Sequence, residues 1–184
     1  MDIFEERAWL RQPEAELLDR ALRVIVFKSA KYSVQAPLVI GAALAGAGAA
    51  QLDALRAFGL PLGTAYQLRD DLLGVFGDAS VTGKPSGDDL TEGKRTVLIA
   101  LARERLHDSE RALLDEQLGD PTLGTGEIHA LQHLIAGSGA VERVESLIEA
   151  QVSEAVAALQ TAPISGTARQ KLLDLTDRVT QRAF

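Results

Sequence analysis

Apolar residues recur along most of the chain at steps of three and four, which is the period of an α-helix. In the first such stretch, residues 14–34, the spacing is carried by Leu17, Leu18, Ala21, Leu22 and Ile25. A second helix is predicted from Pro37 to about Ala47, because proline suits a first turn, where its missing N–H would have no partner. No segment alternates apolar and polar residues as a half-buried strand does. The pattern therefore predicts an all-α chain.

The middle of the chain is predicted to form one long helix from Gln51 to Phe76. The helix is expected to be interrupted at residues 59–61 and its axis to bend there, because Pro61 removes an internal hydrogen bond. Residues 77–93 lose all periodicity, and helices are predicted again over 94–106, 109–118, 125–137, 139–161 and 166–183. With no internal repeat and no long linker, residues 1–184 are predicted to be a single domain.

Composition narrows the possible functions. The apolar run at residues 38–50 is mostly Ala and Gly and is shorter than the ~20 residues that cross a bilayer, so we expect a buried, tightly packed helix and no transmembrane segment. A net charge of -7 argues against nucleic acid as a partner, which needs a clustered basic face. The chain has no cysteine and no signal-peptide pattern at its start, which predicts a cytoplasmic protein.

The strongest chemical pattern lies in residues 66–96, YQLRDDLLGVFGDASVTGKPSGDDLTEGKRT. On the long helix, Gly63, Gln67, Asp70 and Gly74 fall within about 60° of one another, with Asp71 beside them. Such a small, polar stripe suits the lining of a cavity. Adjacent carboxylates repel each other unless a cation lies between them, and their hard oxygens favour Mg²⁺. The alternative is an acidic pair on the surface.

Lysines provide the complementary charge. Lys84 and Lys94 stand among glycines that let backbone N–H groups approach an anion, and a diphosphate could bridge these lysines and a magnesium ion. The alternative is a flexible polar loop. In Lys28-Ser29-Ala30-Lys31, the lysines either contact phosphate or extend from an apolar face to solvent. His107, His129 and His133 do not converge on the acidic cluster, so we expect surface or packing roles for them.

In order and spacing, these residues resemble the trans-isoprenyl diphosphate synthases, or polyprenyl synthetases, which include farnesyl and geranylgeranyl diphosphate synthases. The matching pairs and runs are Tyr66-Gln67, Asp70-Asp71, Gly77-Asp78, Gly83-Lys84, Gly87-Asp88-Asp89-Leu90 and Gly93-Lys94-Arg95-Thr96, together with Lys28-Ser29-Ala30 upstream and Gly137-Ser138-Gly139-Ala140 downstream. One position departs from the family pattern, since Gly74 stands where the family usually has its third aspartate.

The resemblance implies a helical bundle of the isoprenoid synthase type. It also implies that the chain is the C-terminal part of a polyprenyl synthetase domain, because residues 1–60 hold no second Asp-Asp-x-x-Asp motif. The N-terminal helices of the bundle are therefore expected to be absent, and the chain alone is expected to be inactive. Product length in this family is set near the first aspartate motif, which leaves farnesyl, geranylgeranyl and longer products open.

The resemblance also implies a reaction and its residues. The full-length enzyme would condense an allylic diphosphate with isopentenyl diphosphate, with Mg²⁺ as cofactor. The implied catalytic residues are Lys28, Gln67 and Asp70, the implied substrate-binding residues are Lys28, Ser29, Gln67, Lys84 and Lys94, and the implied metal ligands are Asp70, Asp71 and Asp89. A homodimer or larger self-association is expected. A non-catalytic partner subunit of a prenyl synthase is the alternative, and a terpene cyclase is disfavoured by the loop at residues 83–90.

Overall fold

The structure is a computed structural model that describes residues 14–83 and 85–180. Within those ranges all regular secondary structure is helical, which confirms the predicted fold class. The elements are α1 (Glu14–Val24), a π-helical segment (Ile25–Gln35), α2 (Ala36–Leu44), α3 (Ala49–Phe76), α4 (Ala79–Thr82), α5 (Asp88–Thr91), α6 (Val97–Arg105), α7 (Asp108–Gln117), α8 (Thr125–Gly137), α9 (Ala140–Gln160) and α10 (Gly166–Thr180).

The predicted helix ends agree with these bounds to within a few residues from α6 onward. The first predicted helix differs, because it does not continue as an α-helix to residue 34. From Ile25 the chain winds as a π-helix, and at its end the N–H of Ala36 donates to the carbonyl of Lys31, five residues earlier. This pattern of hydrogen bonds defines the wider π-turn. The segment carries Lys28 and Ser29, two of the predicted site residues.

The predicted break at residues 59–61 does not occur. Helix α3 continues for 28 residues with Pro61 inside it. Proline withholds only its own N–H, and the hydroxyl of Thr64 donates to the carbonyl of Leu60 at 3.0 Å. Pro61 therefore removes one backbone hydrogen bond, and the helix continues without interruption, while the predicted bend of its axis stays a prediction.

The prediction of a buried helix at residues 38–50 is wrong. Helix α2 contains no buried residue, and the side chains of Ile40 and Leu44 are 59% and 86% exposed. It packs against the π-helical segment. The small, apolar residues of this stretch show that it lacks charge. They do not show that a second element packs over the helix.

The described residues group into two compact units, and the single domain predicted from sequence stays a prediction. The first unit consists of residues 14–23 and 71–143. Its fully buried side chains include Leu72, Val75, Leu90, Leu98, Ile99, Leu114, Leu131 and Ile135. Helix α6 packs against α8, and the guanidinium of Arg103 donates from Nε and Nη2 to the carboxylate of Asp115, each at 2.7 Å.

The second unit consists of residues 24–70 and 144–180. Its core is a cluster from α3 and α9, namely Phe58, Leu62, Ala155 and Leu159. Partly buried apolar side chains from the π-helical segment, α2, α9, α10 and residue 164 surround it. None of the helices described is both long and apolar enough to cross a membrane.

Candidate functional site

Within the second unit, the π-helical segment and α3 come close enough to exclude side chains between them. A Cβ atom placed on Gly63 would lie 2.6 Å from the Cα of Ala30, which is closer than real contacts allow. One turn further along α3, the hydroxyl of Ser29 donates to Oε1 of Gln67 at 2.6 Å. Glycine at position 63 therefore permits the helix contact that brings Ser29 and Gln67 together.

The amide of Gln67 extends this row to Asp70. Its Nε2 donates to Oδ2 of Asp70 at 3.3 Å, a long hydrogen bond, while its Oε1 receives the Ser29 hydroxyl. Asp70 itself is exposed. We call Ser29, Gln67 and Asp70 the polar row. In this row the solvent-accessible carboxylate of Asp70 faces the amide nitrogen of Gln67, and the Ser29 hydroxyl holds the other end of that amide.

The small, polar stripe on α3 does not simply line a cavity as predicted. Gly63 faces the backbone of the π-helical segment in the second unit, and Gly74 faces the carboxylate of Asp89 in the first unit. At both glycines the missing side chain admits a neighbour. Gln67 is partly exposed and Asp70 is exposed, so these two polar residues remain accessible, as a cavity lining would require.

The lysines of the π-helical segment differ from each other. The Nζ atom of Lys31 lies 4.5 Å from the centre of the Phe27 ring, a cation–π contact that agrees with the structural interpretation of this lysine. Lys28 is exposed and precedes the buried Ser29. Of the two, Lys28 is therefore the better candidate to contact an anionic ligand.

In the first unit, the side chains of Asp71 and Asp89 are both buried, and Asp71 is 6% exposed. Asp89 forms a short ion pair with Lys94, whose Nζ also lies 2.8 Å from Oε2 of Glu92. Partial burial acts to lower the pKa of Lys94, but hydrogen bonds and charge attraction from Asp89 and Glu92 outweigh it and raise that pKa. Lys94 is therefore fully protonated at neutral pH.

The glycines of the loop are needed for its own packing. Gly87 and Gly93 have positive φ angles of 78° and 69°, which side-chain-bearing residues rarely adopt. A Cβ on Gly93 would lie 2.8 Å from the Cα of Gly119, and the N–H of Gly119 donates to the carbonyl of Leu90 at 2.8 Å. These contacts fix the backbone on both sides of Asp89. Lys84 lies outside the described residues.

The predicted metal ligands fit magnesium by chemistry, since all are carboxylates. In the described ranges, however, no three or more His, Asp or Glu side chains form a group that could hold a metal ion. Magnesium in phosphate-handling sites is commonly held by one or two carboxylates, with water and substrate phosphate completing its shell. The assignment of Asp70, Asp71 and Asp89 as ligands stays a prediction. His107, His129 and His133 are exposed, which confirms their surface placement.

Two supporting contacts were not predicted. Arg69, next to Asp70, donates from both terminal nitrogens to the carboxylate of Glu145 at 2.6 and 2.7 Å. Gln132 donates from Nε2 to the carbonyl of Val75 at 2.6 Å and to the hydroxyl of Ser86 at 3.0 Å. The partners are 46 to 76 residues apart, so no local pattern could have paired them.

Comparison with known proteins identifies relatives across most of the chain. The model of the polyprenyl synthetase family matches residues 1–135. A geranylfarnesyl diphosphate synthase of Aeropyrum pernix is 34% identical over 150 residues, which are 81% of this chain and 46% of that protein. A geranylgeranyl diphosphate synthase of Mycobacterium tuberculosis is 30% identical, covering 86% of this chain and 45% of that protein. The chain thus spans about half the length of the curated relatives it matches.

A solved structure gives the same result. The geranylgeranyl pyrophosphate synthase of Corynebacterium glutamicum, complexed with isoprenyl diphosphate and magnesium, is 39% identical to this chain with a TM-score of 0.87. The similarity covers 90% of this chain and 47% of that one. It confirms the helical fold that the sequence resemblance implied.

Proposed function

The chain belongs to the polyprenyl synthetase family, and from this premise we propose that its polar residues serve the condensation of an allylic diphosphate with isopentenyl diphosphate. The family and its relatives support a prenyltransferase of this type. The observation that carries the residue assignment is the polar row, in which Ser29 orients Gln67 and Gln67 donates to the exposed carboxylate of Asp70.

The reaction begins with departure of a diphosphate, so negative charge builds up on the leaving group. Bound magnesium would supply positive charge at that group, and Asp70, Asp71 and Asp89 are the residues proposed to hold it. Lys28, Lys84 and Lys94 are proposed to donate hydrogen bonds to diphosphate oxygens, since charge-assisted hydrogen bonds of this kind are strong.

Gln67 and Ser29 are proposed to orient rather than to react. The hydroxyl of Ser29 holds Oε1 of Gln67, so the amide keeps its Nε2 directed at Asp70. A carboxylate that is held in one orientation loses less conformational entropy when it binds a cation. Removal of Ser29 should therefore weaken binding through Asp70 without removing a ligand.

The direct test is calorimetric titration of the purified chain with inorganic diphosphate in the presence of magnesium. Asp70→Asn should weaken binding at least about tenfold, which corresponds to the loss of one charged contact. Asp53→Asn is the matched control, because Asp53 is an exposed aspartate on the same helix whose partner is Arg56. Equal affinities for Asp70→Asn and Asp53→Asn would refute the assignment of Asp70.

The 184-residue chain is proposed to be inactive alone, because the reaction also calls for a second aspartate-rich segment and residues 1–60 hold none. Labelled isopentenyl diphosphate, offered with geranyl or farnesyl diphosphate, should remain unreacted. Formation of a longer labelled diphosphate would contradict this proposal while leaving the binding test unaffected.

Self-association as a homodimer or larger assembly is proposed from the exposed apolar side chains of the second unit. These are Val24, Phe27, Tyr32, Ile40 and Leu44, each at least 52% exposed. Exposed apolar side chains mark an interaction surface when they lie together. A monomer mass by light scattering at micromolar concentration would count against self-association.

The lack of cysteine in the sequence supports a place in the reducing cytosol.

A second candidate function is a non-catalytic partner subunit of a prenyl synthase. It is favoured by the same exposed apolar side chains, together with the chain's coverage of about half of its relatives. The two candidates differ in their use of Asp70. Stimulation of a catalytic relative that survives Asp70→Asn would favour the partner subunit, whereas its loss would favour a direct role in the reaction.

A further inference from the structure

Gly74 occupies a position on α3 at which no side chain fits. A Cβ atom built there would lie 2.8 Å from Oδ1 of Asp89, and closer still to its Cγ and Oδ2. Most other helical glycines have no such constraint. A Cβ atom built on Gly41 in α2, for example, would have no neighbouring atom within 4 Å. The obstacle at Gly74 is therefore specific, and it is a carboxylate.

That carboxylate cannot easily move away. The side chain of Asp89 is 9% exposed and forms an ion pair with Lys94. The N–H of Lys94 also donates to the backbone carbonyl of Asp89 at 3.0 Å. The glycines on both sides of α5 pack against Ile128 and Gly119, which fixes the backbone that carries Asp89.

From this geometry we infer that Gly74 is a positioning residue for Asp89. The absence of a side chain at position 74 leaves the space in which the Asp89 carboxylate, paired with Lys94, lies against α3. Asp89, which belongs to the short helix α5, thereby places a carboxylate at the position three residues past Asp71 on the surface of α3. Gly74 on this view is not a lost ligand, because any side chain restored there would displace Asp89.

The test is a thermal double-mutant cycle on the whole chain. Gly74→Ala should lower the melting temperature, whereas Gly41→Ala, which introduces the same methyl group into open space, should leave it unchanged or raise it. Asp89→Ala should lower the melting temperature of the wild-type chain, because Lys94 loses a partner. In the Gly74→Ala background the same change should raise it, because the obstructed carboxylate is removed.

The sign of that second effect decides the inference. An Asp89→Ala change that lowers the melting temperature equally in both backgrounds would overturn it, as would a Gly74→Ala variant that behaves like Gly41→Ala. Should Gly74→Ala fail to fold, recovery of a cooperative transition in Gly74→Ala/Asp89→Ala would support the inference, and failure to recover would count against it.

A separate measurement tests whether the Asp89 carboxylate binds a metal ion, and this test rests on the proposed function. Manganese binding followed by electron paramagnetic resonance should be weakened at least about threefold, or ~0.65 kcal/mol, by Gly74→Ala and by Asp89→Ala, with no further loss in the double variant. Unchanged binding in Asp89→Ala would overturn the ligand assignment of Asp89 under the proposed function. The melting cycle would then still decide whether Gly74 positions it.

Discussion

Replacement of Arg69 by methionine should destabilise the second unit strongly, because Arg69 joins three helices there. Its two terminal nitrogens donate to Glu145 in α9 at 2.6 and 2.7 Å, and its Nε donates to the carbonyl of Thr180 in α10 at 2.9 Å. The Arg69 side chain is 12% exposed and that of Glu145 is 33% exposed. Methionine keeps the apolar stem and removes all of these donors.

The magnitude follows from burial. Removal of one partner from a fully buried ion pair costs about 3–5 kcal/mol, because the remaining charge stays uncompensated. Glu145 is a third exposed and can regain water, so we expect about 2–3 kcal/mol for Arg69→Met. For a chain of this size, such a loss lowers the melting temperature by about 5–10 °C.

The matched control is Arg56→Met on the same helix. Arg56 contacts Asp53 at 2.7 Å, but the two side chains are 50% and 73% exposed. Exposed pairs of this spacing contribute about 0.3–0.5 kcal/mol, so this variant should unfold almost as the wild type does. Urea unfolding followed by circular dichroism gives both values, provided that the slope with denaturant is unchanged.

The reasoning would be refuted if Arg69→Met lost no more stability than Arg56→Met. A cycle with Glu145→Gln adds a second check. Because the carboxylate and the guanidinium share one interaction, the double variant should lose less than the sum of the two single losses. Additive losses would mean that the pair contributes nothing as a pair.

Three further predictions concern the polar row and the loop. Ser29→Ala should cost about 1 kcal/mol in urea unfolding, because Gln67 loses its hydroxyl donor, and the carbon-13 shift of the Gln67 carbonyl should move. Gly63→Ala should be destabilising despite a gain in helix propensity of about 1 kcal/mol, since its Cβ would strike a backbone 2.6 Å away, and a raised melting temperature would contradict this. The Ser80 side chain is the largest cause of the lowered pKa of Asp78, so Ser80→Ala should move the Asp78 titration midpoint in NMR back toward 3.8. Because that pKa is lower folded than unfolded, the stability it contributes is present above pH 3.8 and is lost as the pH falls through the folded value.

Helical periodicity predicted most of the fold, because each amphipathic helix encodes its own period. It missed the features that depend on neighbours. The sequence around Pro61 predicts a break, yet the helix continues. The run at 38–50 predicts burial, yet Ile40 and Leu44 are exposed. The spacing in residues 25–35 is compatible with an ordinary helix, so the change of helix type could not be read from it.

The sequence predicts residues for the candidate site but not the contacts between them. Gln67, Asp70 and Ser29 were singled out from spacing and resemblance, and the structure joins them by hydrogen bonds. From sequence, Gly74 resembles a missing ligand, because the residue that fills its space lies in the later helix α5. Only tertiary structure brings Asp89 to α3, as it brings Glu145 to Arg69.

The polar row has a direction that restricts what Ser29 can do. Since Asp70 is a carboxylate, it accepts from the amide nitrogen of Gln67, which turns the amide oxygen toward Ser29. Ser29 must then donate, and a hydroxyl has only one proton to give. The Ser29 oxygen can still accept a hydrogen bond, but an ionised diphosphate has no proton to donate to it. While Ser29 donates to Gln67 it therefore has no proton left for an anionic ligand, and a direct contact would require that hydrogen bond to break.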